Sequence, residues 1–325
     1  MNPMIRAALR LSYGLPPPFA AILAGPRPSV LLYHGVPRRS PVAGKYAFDG
    51  EALERQVLYL KRHFRVIHWQ DLFRSRSLWD RKAVLLTFDD GLRNNAEVVA
   101  PILLRHGLPA LFFVSTRHVG SKRVLWFTYL RALEHEYRGD EIRFRGADYD
   151  MSPPGRQRSV QLLRRRLLAL KPHPSAMYAA IHDELPPLES FVAERDIEDR
   201  YAGMTAEQMA ALDSHDLFSV ECHSVDHPYL TQCAPEEALR QIRENKECIE
   251  RTCGKVVTRI SYPLGDYNRY VVEAARQMGF RTGYAVAPLL RSFSDFEIPR
   301  AGIYRAPLEV AGFKAMWSRR RPHAG

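Results

Sequence analysis

The chain has 325 residues, 46% of them apolar, with 47 basic against 36 acidic side chains and a net charge of +11. That length and apolar content exclude a disordered or fibrous chain and suit one large domain or two modest ones. No apolar stretch has bilayer length, and none of the four cysteines, Cys222, Cys233, Cys248 and Cys253, forms a C-x-x-C pair, so the reading is of free thiols in a reducing compartment.

In chain order, residues 1–28 read as a weakly ordered lead whose apolar runs are broken by Pro16, Pro17 and Pro18, without the h-region and cleavage site of a signal peptide. Ser29–Tyr33 reads as a buried strand ending in His34-Gly35. Asp49 caps a helix whose Leu53, Val57, Leu60 and Phe64 form one apolar stripe. Val66–Trp69 fits a short strand. Ala83-Val84-Leu85-Leu86-Thr87-Phe88 has the length and composition of a strand buried on both faces, and it ends in Asp89-Asp90-Gly91. A helix over Asn95–His106, stopped by Gly107, leads to the strand Ala110–Val114.

Residues 121–215 break this alternation and read as a mostly helical insertion, with helices from Trp126 to Tyr137 and around Arg164-Arg165-Arg166. The α/β rhythm resumes with the strand Phe218–Cys222, a helix from Pro235 to Cys253 stopped by Gly254, and the strand around Arg259–Pro263. A helix from Tyr270 to Met278 follows, then strands over Thr282–Val286 and Glu297–Tyr304. Strand and helix in alternation imply parallel strands, and so an α/β fold of barrel or open-sheet type. Residues 306–325 form a basic tail.

Two adjacent carboxylates at a strand end repel each other unless a cation or a shared proton relieves them. They also fit an Asp-Gly turn with both acids solvated. His223-Ser-Val-Asp-His227 places two imidazoles four residues apart, but Pro228 pushes His227 out of helical geometry and the zincin glutamate is missing, so the pair belongs on a loop leaving the 218–222 strand. Two imidazoles and one carboxylate make a three-point site for a divalent metal; two unrelated loop histidines remain the simpler alternative.

Thr87-Phe88-Asp89-Asp90-Gly91, His223-Ser-Val-Asp-His227 and Arg259-Ile-Ser-Tyr262-Pro263, each after a strand and in this order, resemble the first three motifs of the polysaccharide deacetylases, the NodB homology domain or carbohydrate esterase family four. The resemblance implies an irregular (β/α) barrel over 29–305, interrupted by the 121–215 insertion, and metal-dependent removal of an acetyl group from an N-acetylated sugar. Carried over by position, it implies that Asp90, His223 and His227 bind the metal and Asp89 is the general base. Arg259 would pair with Asp89, the Tyr262 backbone N–H would stabilise the oxyanion, and Pro263 would hold that turn. Zinc is the first choice of ion; nickel, cobalt and iron accept the same ligands.

The chain departs from that pattern in lacking a late histidine as general acid, since after residue 263 only His323 remains, in the tail. Tyr33-His34-Gly35 resembles a subgroup with an early Tyr-His motif, in which that histidine takes the acid role, so His34 is the expected acid. Asp266 is a candidate for a supporting contact to substrate. An O-deacetylase, a deformylase or a non-catalytic glycan- or lipid-binding homologue are the alternatives on the same scaffold. The expected partner is an N-acetylated glycan or lipid-linked sugar, with peripheral contact to an anionic membrane face on the cytoplasmic side; no interleaved basic and aromatic motif points to nucleic acid.

Overall fold

The structure, a computed structural model, describes residues 28–39, 48–74, 83–286 and 294–303. The expectations for residues 1–27, for the basic tail and for His323 fall outside these described residues.

Eight parallel strands form the main sheet: β1 (Ser29–Tyr33), β2 (Arg65–Val66), β3 (Ala83–Asp90), β4 (Ala110–Val114), β7 (Phe218–Cys222), β8 (Arg259–Ser261), β9 (Thr282–Ala285) and β10 (Ile298–Gly302). Between β4 and β7 lies a two-stranded antiparallel hairpin, β5 (Glu141–Phe144) and β6 (Ala147–Asp150). Strand β1 pairs with β10 on one side and with β3 on the other, from Ser29↔Val84 to Tyr33↔Phe88. This closes a barrel in the order β1, β3, β4, β7, β8, β9, β10. Strand β2 adds only to the lower end of β3, through Arg65↔Ala83 and Val66↔Val84. The strand expected over Val66–Trp69 is this short because the chain turns at His68, where Asp71 N–H bonds the His68 carbonyl. Ile67 and Trp69 then bury in the same small cluster as Val30, Leu85, Phe113 and Tyr284.

Strand alternation assigns the two faces. On β3, Val84, Leu86 and Phe88 pack outward against the surrounding helices, while Ala83 and Leu85 point to the barrel axis. The helix Gly50–His63 buries Leu53, Val57 and Leu60 on the outer face, with Asp49 Oδ1 accepting from Ala52 N–H at 3.0 Å, so the expected cap forms. After β3, a π-helical turn over Asn95–Val99 runs into the α-helix Ala100–His106. The wider turn accommodates Pro101, which has no N–H to donate, and Gly107 ends the helix at φ 63°.

The insertion builds a second apolar core from Trp126, Leu130, Leu133, Phe144, Leu163, Leu167, Met177 and their neighbours, distinct from that of the barrel. It contains the β5–β6 hairpin as well as helices; Arg145 at φ 51° and Gly146 at φ 73° make its two-residue turn. The helix Ala206–Asp213, within the expected insertion, instead joins the barrel's outer shell, burying Met209 and Leu212 in the main core.

Candidate metal centre and active site

The same alternation gathers the candidate residues. Thr87 and Asp89 continue the axial face of β3 above Ala83 and Leu85. His34 continues that of β1 after Val30, and Arg300 that of β10 after Ile298. On β7, Val220 and Cys222 face outward into the main core, so His223 follows the axial parity of Ser219 and Glu221. On β8, Ile260 faces outward, which sets Arg259 and Ser261 toward the axis. His34, Asp89, His223, Ser261 and Arg300 therefore belong to one layer at the carboxyl ends of the strands, where catalytic groups of α/β barrels collect.

Asp90 breaks the alternation. Its φ is 79°, in the left-handed region, and Gly91 follows at φ 80°. A Cβ on Gly91 would come within 2.5 Å of Val114 Cγ1, so only glycine fits there. The strained aspartate turns its carboxylate toward the β7 loop. That loop carries its own left-handed residues, Ser224 at φ 65° and His227 at φ 52°. Asn245 braces it by accepting from His223 N–H at 3.1 Å and donating to the Ser224 and Val114 carbonyls.

Asp90, His223 and His227 converge: one ligand atom from each lies within 4.8 Å of the others, and all three residues are buried. His227 Nε2 stands 3.4 Å and His223 Nε2 3.7 Å from Asp90 Oδ1. His223 Nδ1 is 2.8 Å from the Ser261 carbonyl, an acceptor that fixes the proton on Nδ1 and leaves the Nε2 lone pair facing Asp90. Burial lowers the pKa of both histidines, and the proximity of His223 lowers that of His227 further, so both are neutral ligands at pH 7. Burial also pushes Asp90 up to about 7, His223 opposing and Asp89 adding to the shift. Asp90 Oδ1 is buried without a hydrogen-bond partner. A buried carboxylate oxygen without a hydrogen-bond partner, facing the Nε2 atoms of two neutral imidazoles, is a costly arrangement that a divalent cation resolves. The residues present fit such an ion.

Asp89 is paired with Arg300. The guanidinium makes two parallel bonds, Nη1 to Oδ1 and Nη2 to Oδ2, each 2.7 Å. Arg300 Nη2 also donates to Ser261 Oγ at 2.5 Å, and Ser261 Oγ to Asp89 Oδ2 at 3.2 Å. Burial alone would raise the pKa of Asp89; Arg300, then His223, more than reverse this and hold it at about 2.

Arg259, the expected partner of Asp89, lies two residues earlier on β8, a layer deeper in the barrel. Its Nη1 donates to Glu221 Oε1 at 2.7 Å and its own N–H to Glu221 Oε2 at 2.9 Å. Ser261 occupies the level of Asp89 and bonds it but carries no charge, so β10 supplies the cation. Arg300, the cation sequence reasoning missed, is a lone charge between Ile298 and Ala301 in the last strand. Its axial direction depends on a register that only the closed barrel fixes.

The Tyr262 backbone N–H, expected to stabilise an oxyanion, is instead donated to the Tyr284 carbonyl at 3.2 Å, and the Tyr262 ring stacks on Tyr267. Pro263 opens the turn after β8, in which Leu264 has φ 58° and Gly265 φ 67°. Asp266, a candidate for substrate contact, turns away to accept from Thr231 N–H at 2.8 Å and Thr231 Oγ1 at 2.8 and 2.9 Å; it ties the loop after His227 to the β8 turn. His34 is half-buried beside Asp89. Burial takes its pKa down to about 4, Asp89 opposing and Arg300 adding.

The insertion reaches the metal centre. Trp126 Nε1 donates to the His227 carbonyl at 3.2 Å, the Phe127 ring lies 4.7 Å from that of His227, and Tyr178 donates to the Asp226 carbonyl at 3.0 Å. Asp226, between the two histidines, accepts from Arg117 Nε, from Gln241 Nε2 at 2.5 Å and, through its N–H, bonds Gln241 Oε1 at 2.7 Å. Arg117 in turn stacks over Tyr178. Asp226 was visible in the sequence only as a spacer in the H-x-x-x-H stretch.

The family model for polysaccharide deacetylase matches residues 79–150 and 180–283, more than half of the chain. The Bacillus subtilis (strain 168) protein YxkH is 31% identical over 85 residues, 26% of this chain and 30% of that protein. A chitooligosaccharide deacetylase of Azorhizobium caulinodans is 29% identical over 133 residues, 40% of this chain and 59% of that protein. Both matches thus span less than two thirds of the relative's length. Among solved structures, the Streptococcus pyogenes deacetylase PplD in complex with acetate aligns over 85% of this chain and 92% of its own, with TM-score 0.53 at 17% identity. IcaB from Ammonifex degensii aligns over 90% and 96%, with TM-score 0.53 at 17% identity. At that identity the two structures establish the fold.

Proposed function

Because the chain belongs to the polysaccharide deacetylase family, we propose that it is a hydrolase of carbon–nitrogen amide bonds that removes an acetyl group from an N-acetylated sugar of a polysaccharide, glycolipid or lipid-linked glycan precursor. The observation that carries this reading is the buried convergence of Asp90, His223 and His227 beside the Asp89–Arg300 pair. Asp90, His223 and His227 would hold one divalent cation, zinc first. When bound it supplies a Lewis acid that polarises the acyl carbonyl and acidifies water.

Asp89 would accept the proton of the attacking water as its oxygen adds to the acyl carbon. Held at about 2 by Arg300, Asp89 is ionised throughout the working range but is a weak base, so it suits only water that has been made acidic. Arg300 and Ser261 fix both of its oxygens, which orients the accepting lone pair. His34, at the end of β1 in the same layer, would deliver the proton to the leaving nitrogen as the C–N bond breaks, releasing acetate and the free amine. With its pKa near 4 it is neutral at rest, and it acts as acid only after taking up a proton during turnover. The net charge of +11, and the exposed Arg158, Arg164, Arg165 and Arg166 of the helix Arg156–Leu168, support a further contact with an anionic membrane surface.

The test is acetate release from chitotetraose and from an N-acetylated glycolipid, with and without chelator. Chelator-sensitive acetate release restored by zinc supports the reading. With N-formylated and O-acetylated sugars added to the panel, release of formate only assigns the alternative acyl group, release of acetate only from the O-acetylated sugar assigns the alternative linkage, and a protein inert on every substrate with metal supplied overturns the reading. Recovery on anionic vesicles that is lost at high salt tests the membrane contact; recovery indifferent to salt and anionic lipid removes it.

A further inference from the structure

The helix Trp126–Glu136 overlies the metal loop through Trp126 and Phe127, as described. In a helix, residues four apart share a face, so Arg131 stands one turn beyond Phe127 on the side that covers His227. Arg131 is exposed, whereas Leu130, Ala132 and Leu133 beside it are buried in the insertion's core. Its positive charge also reaches His34, at the end of β1. With Trp126 and Phe127 packed on His227, an exposed cation one turn along the same face stands at the rim of the site. Glu134 and His135 follow on the same face, yet among the described residues Arg131 forms no ion pair with any carboxylate. Nearby arginines are committed: Arg93 to Glu97 and Glu198, Arg117 to Asp226, and Arg200 to Glu136 and Asp196.

We propose that Arg131 binds an anionic substituent of the substrate, a phosphate or carboxylate close to the reacting sugar, so that the site selects acidic N-acetylated saccharides over neutral ones. The inference rests on the deacetylase reading and adds the charge class of its substrate. A guanidinium suits both anions because its planar fork meets two oxygens at once. Phosphate and carboxylate share that chemistry, and the substrate panel separates them.

The probes are chitotetraose, chitotetraose bearing a reducing-end phosphomonoester, and chitotetraose oxidised to a reducing-end aldonate, each assayed for kcat/KM with the zinc-loaded full chain. Arg131→Ala and Arg131→Lys are compared with the parent at low and high salt. For an exposed cation the expected change is a fall of roughly fivefold in the ratio of kcat/KM for an anionic over the neutral substrate in R131A, carried by KM, with R131K restoring part of it. The same substitution abolishes the salt dependence of KM for the anionic substrate. Which anion shows the larger fall identifies the substituent. A parent that works on all three substrates with an R131A ratio equal to its own, or with all three substrates slowed alike, overturns the inference and leaves the deacetylase reading standing. A parent inert on all three overturns both.

Discussion

Arg300→Met tests the charge pair at the heart of the site. Asp89 is 2% and Arg300 5% exposed, so removing the guanidinium leaves an ionised carboxylate in the barrel with only Ser261 to bond it. Breaking a buried pair in this way costs about 3–5 kcal/mol. Urea denaturation with chelator present at pH 7 is expected to show a loss of that size. Adding Asp89→Asn to Arg300→Met should recover most of it, because the second change removes the stranded charge. The pH dependence has a definite sign. In the parent, Asp89 is depressed to about 2, so its contribution is complete above its unfolded value and is lost as the pH falls through about 2. In R300M the same carboxyl is raised by burial, the native state binds a proton there more readily than the unfolded chain does, and the Asp89 contribution to stability becomes more favourable as the pH falls from neutrality, while the buried histidines act alike in variant and parent. The gap between variant and parent therefore narrows on acidification. Turnover in R300M should fall about a hundredfold, since the accepting oxygen loses its orientation. A variant as stable as the parent at pH 7, or a gap that widens in acid, would refute the pairing argument.

Arg259→Met separates the two layers of the barrel: it takes the guanidinium from the buried Glu221, which keeps the backbone N–H groups of Thr258 and Arg259, the Ser219 hydroxyl and Lys255 at 3.9 Å, and should cost up to about 3 kcal/mol in denaturation, while kcat at a permissive temperature stays close to the parent's. His118, buried with Nε2 2.9 Å from the Asp90 carbonyl, has its pKa lowered to about 4 by burial, the carbonyl opposing. The His118 contribution to stability should therefore decline by up to about 3 kcal/mol as the pH falls from 6.5 to 4 and level off below, and His118→Gln should make that limb shallower in a pH series of melting curves, leaving the share of the other buried histidines. Asp226→Asn weakens the Arg117 clasp on the H-x-x-x-H loop, and competition titration with a chromogenic chelator should show zinc affinity reduced about 10–100-fold with little change in the fold's far-ultraviolet spectrum.

The main strands and helices were legible because each carried a local signal: the two-faced apolar run of β3, the Asp49 cap, the glycines at 107 and 254. The converging aspartate and histidines were legible as a resemblance among three motifs, the first of them more than a hundred residues before the other two. What escaped was set by closure of the barrel. Arg259 and Arg300 are each a single arginine in a short strand, and only the register decides which one stands level with Asp89. The Tyr262 N–H likewise was claimed by β9, a partner that local sequence does not disclose. The β5–β6 hairpin was hidden by its short, charged strands, although the Arg145-Gly146 turn was a usable sign. Asp226 looked like a spacer because its partners, Arg117 and Gln241, come from either side of it in the chain.

The central claim is that two neighbouring aspartates have separate tasks, Asp90 holding an ion and Asp89 handling a proton. The most direct measurement is calorimetric titration of the chelator-stripped protein with zinc, for the parent, Asp89→Asn and Asp90→Asn, beside acetate release from the same samples. The account predicts one ion per chain in the parent and in D89N, binding weakened beyond detection in D90N, and turnover lost in both variants. Zinc binding in D90N equal to the parent's, or its loss in D89N, would contradict it.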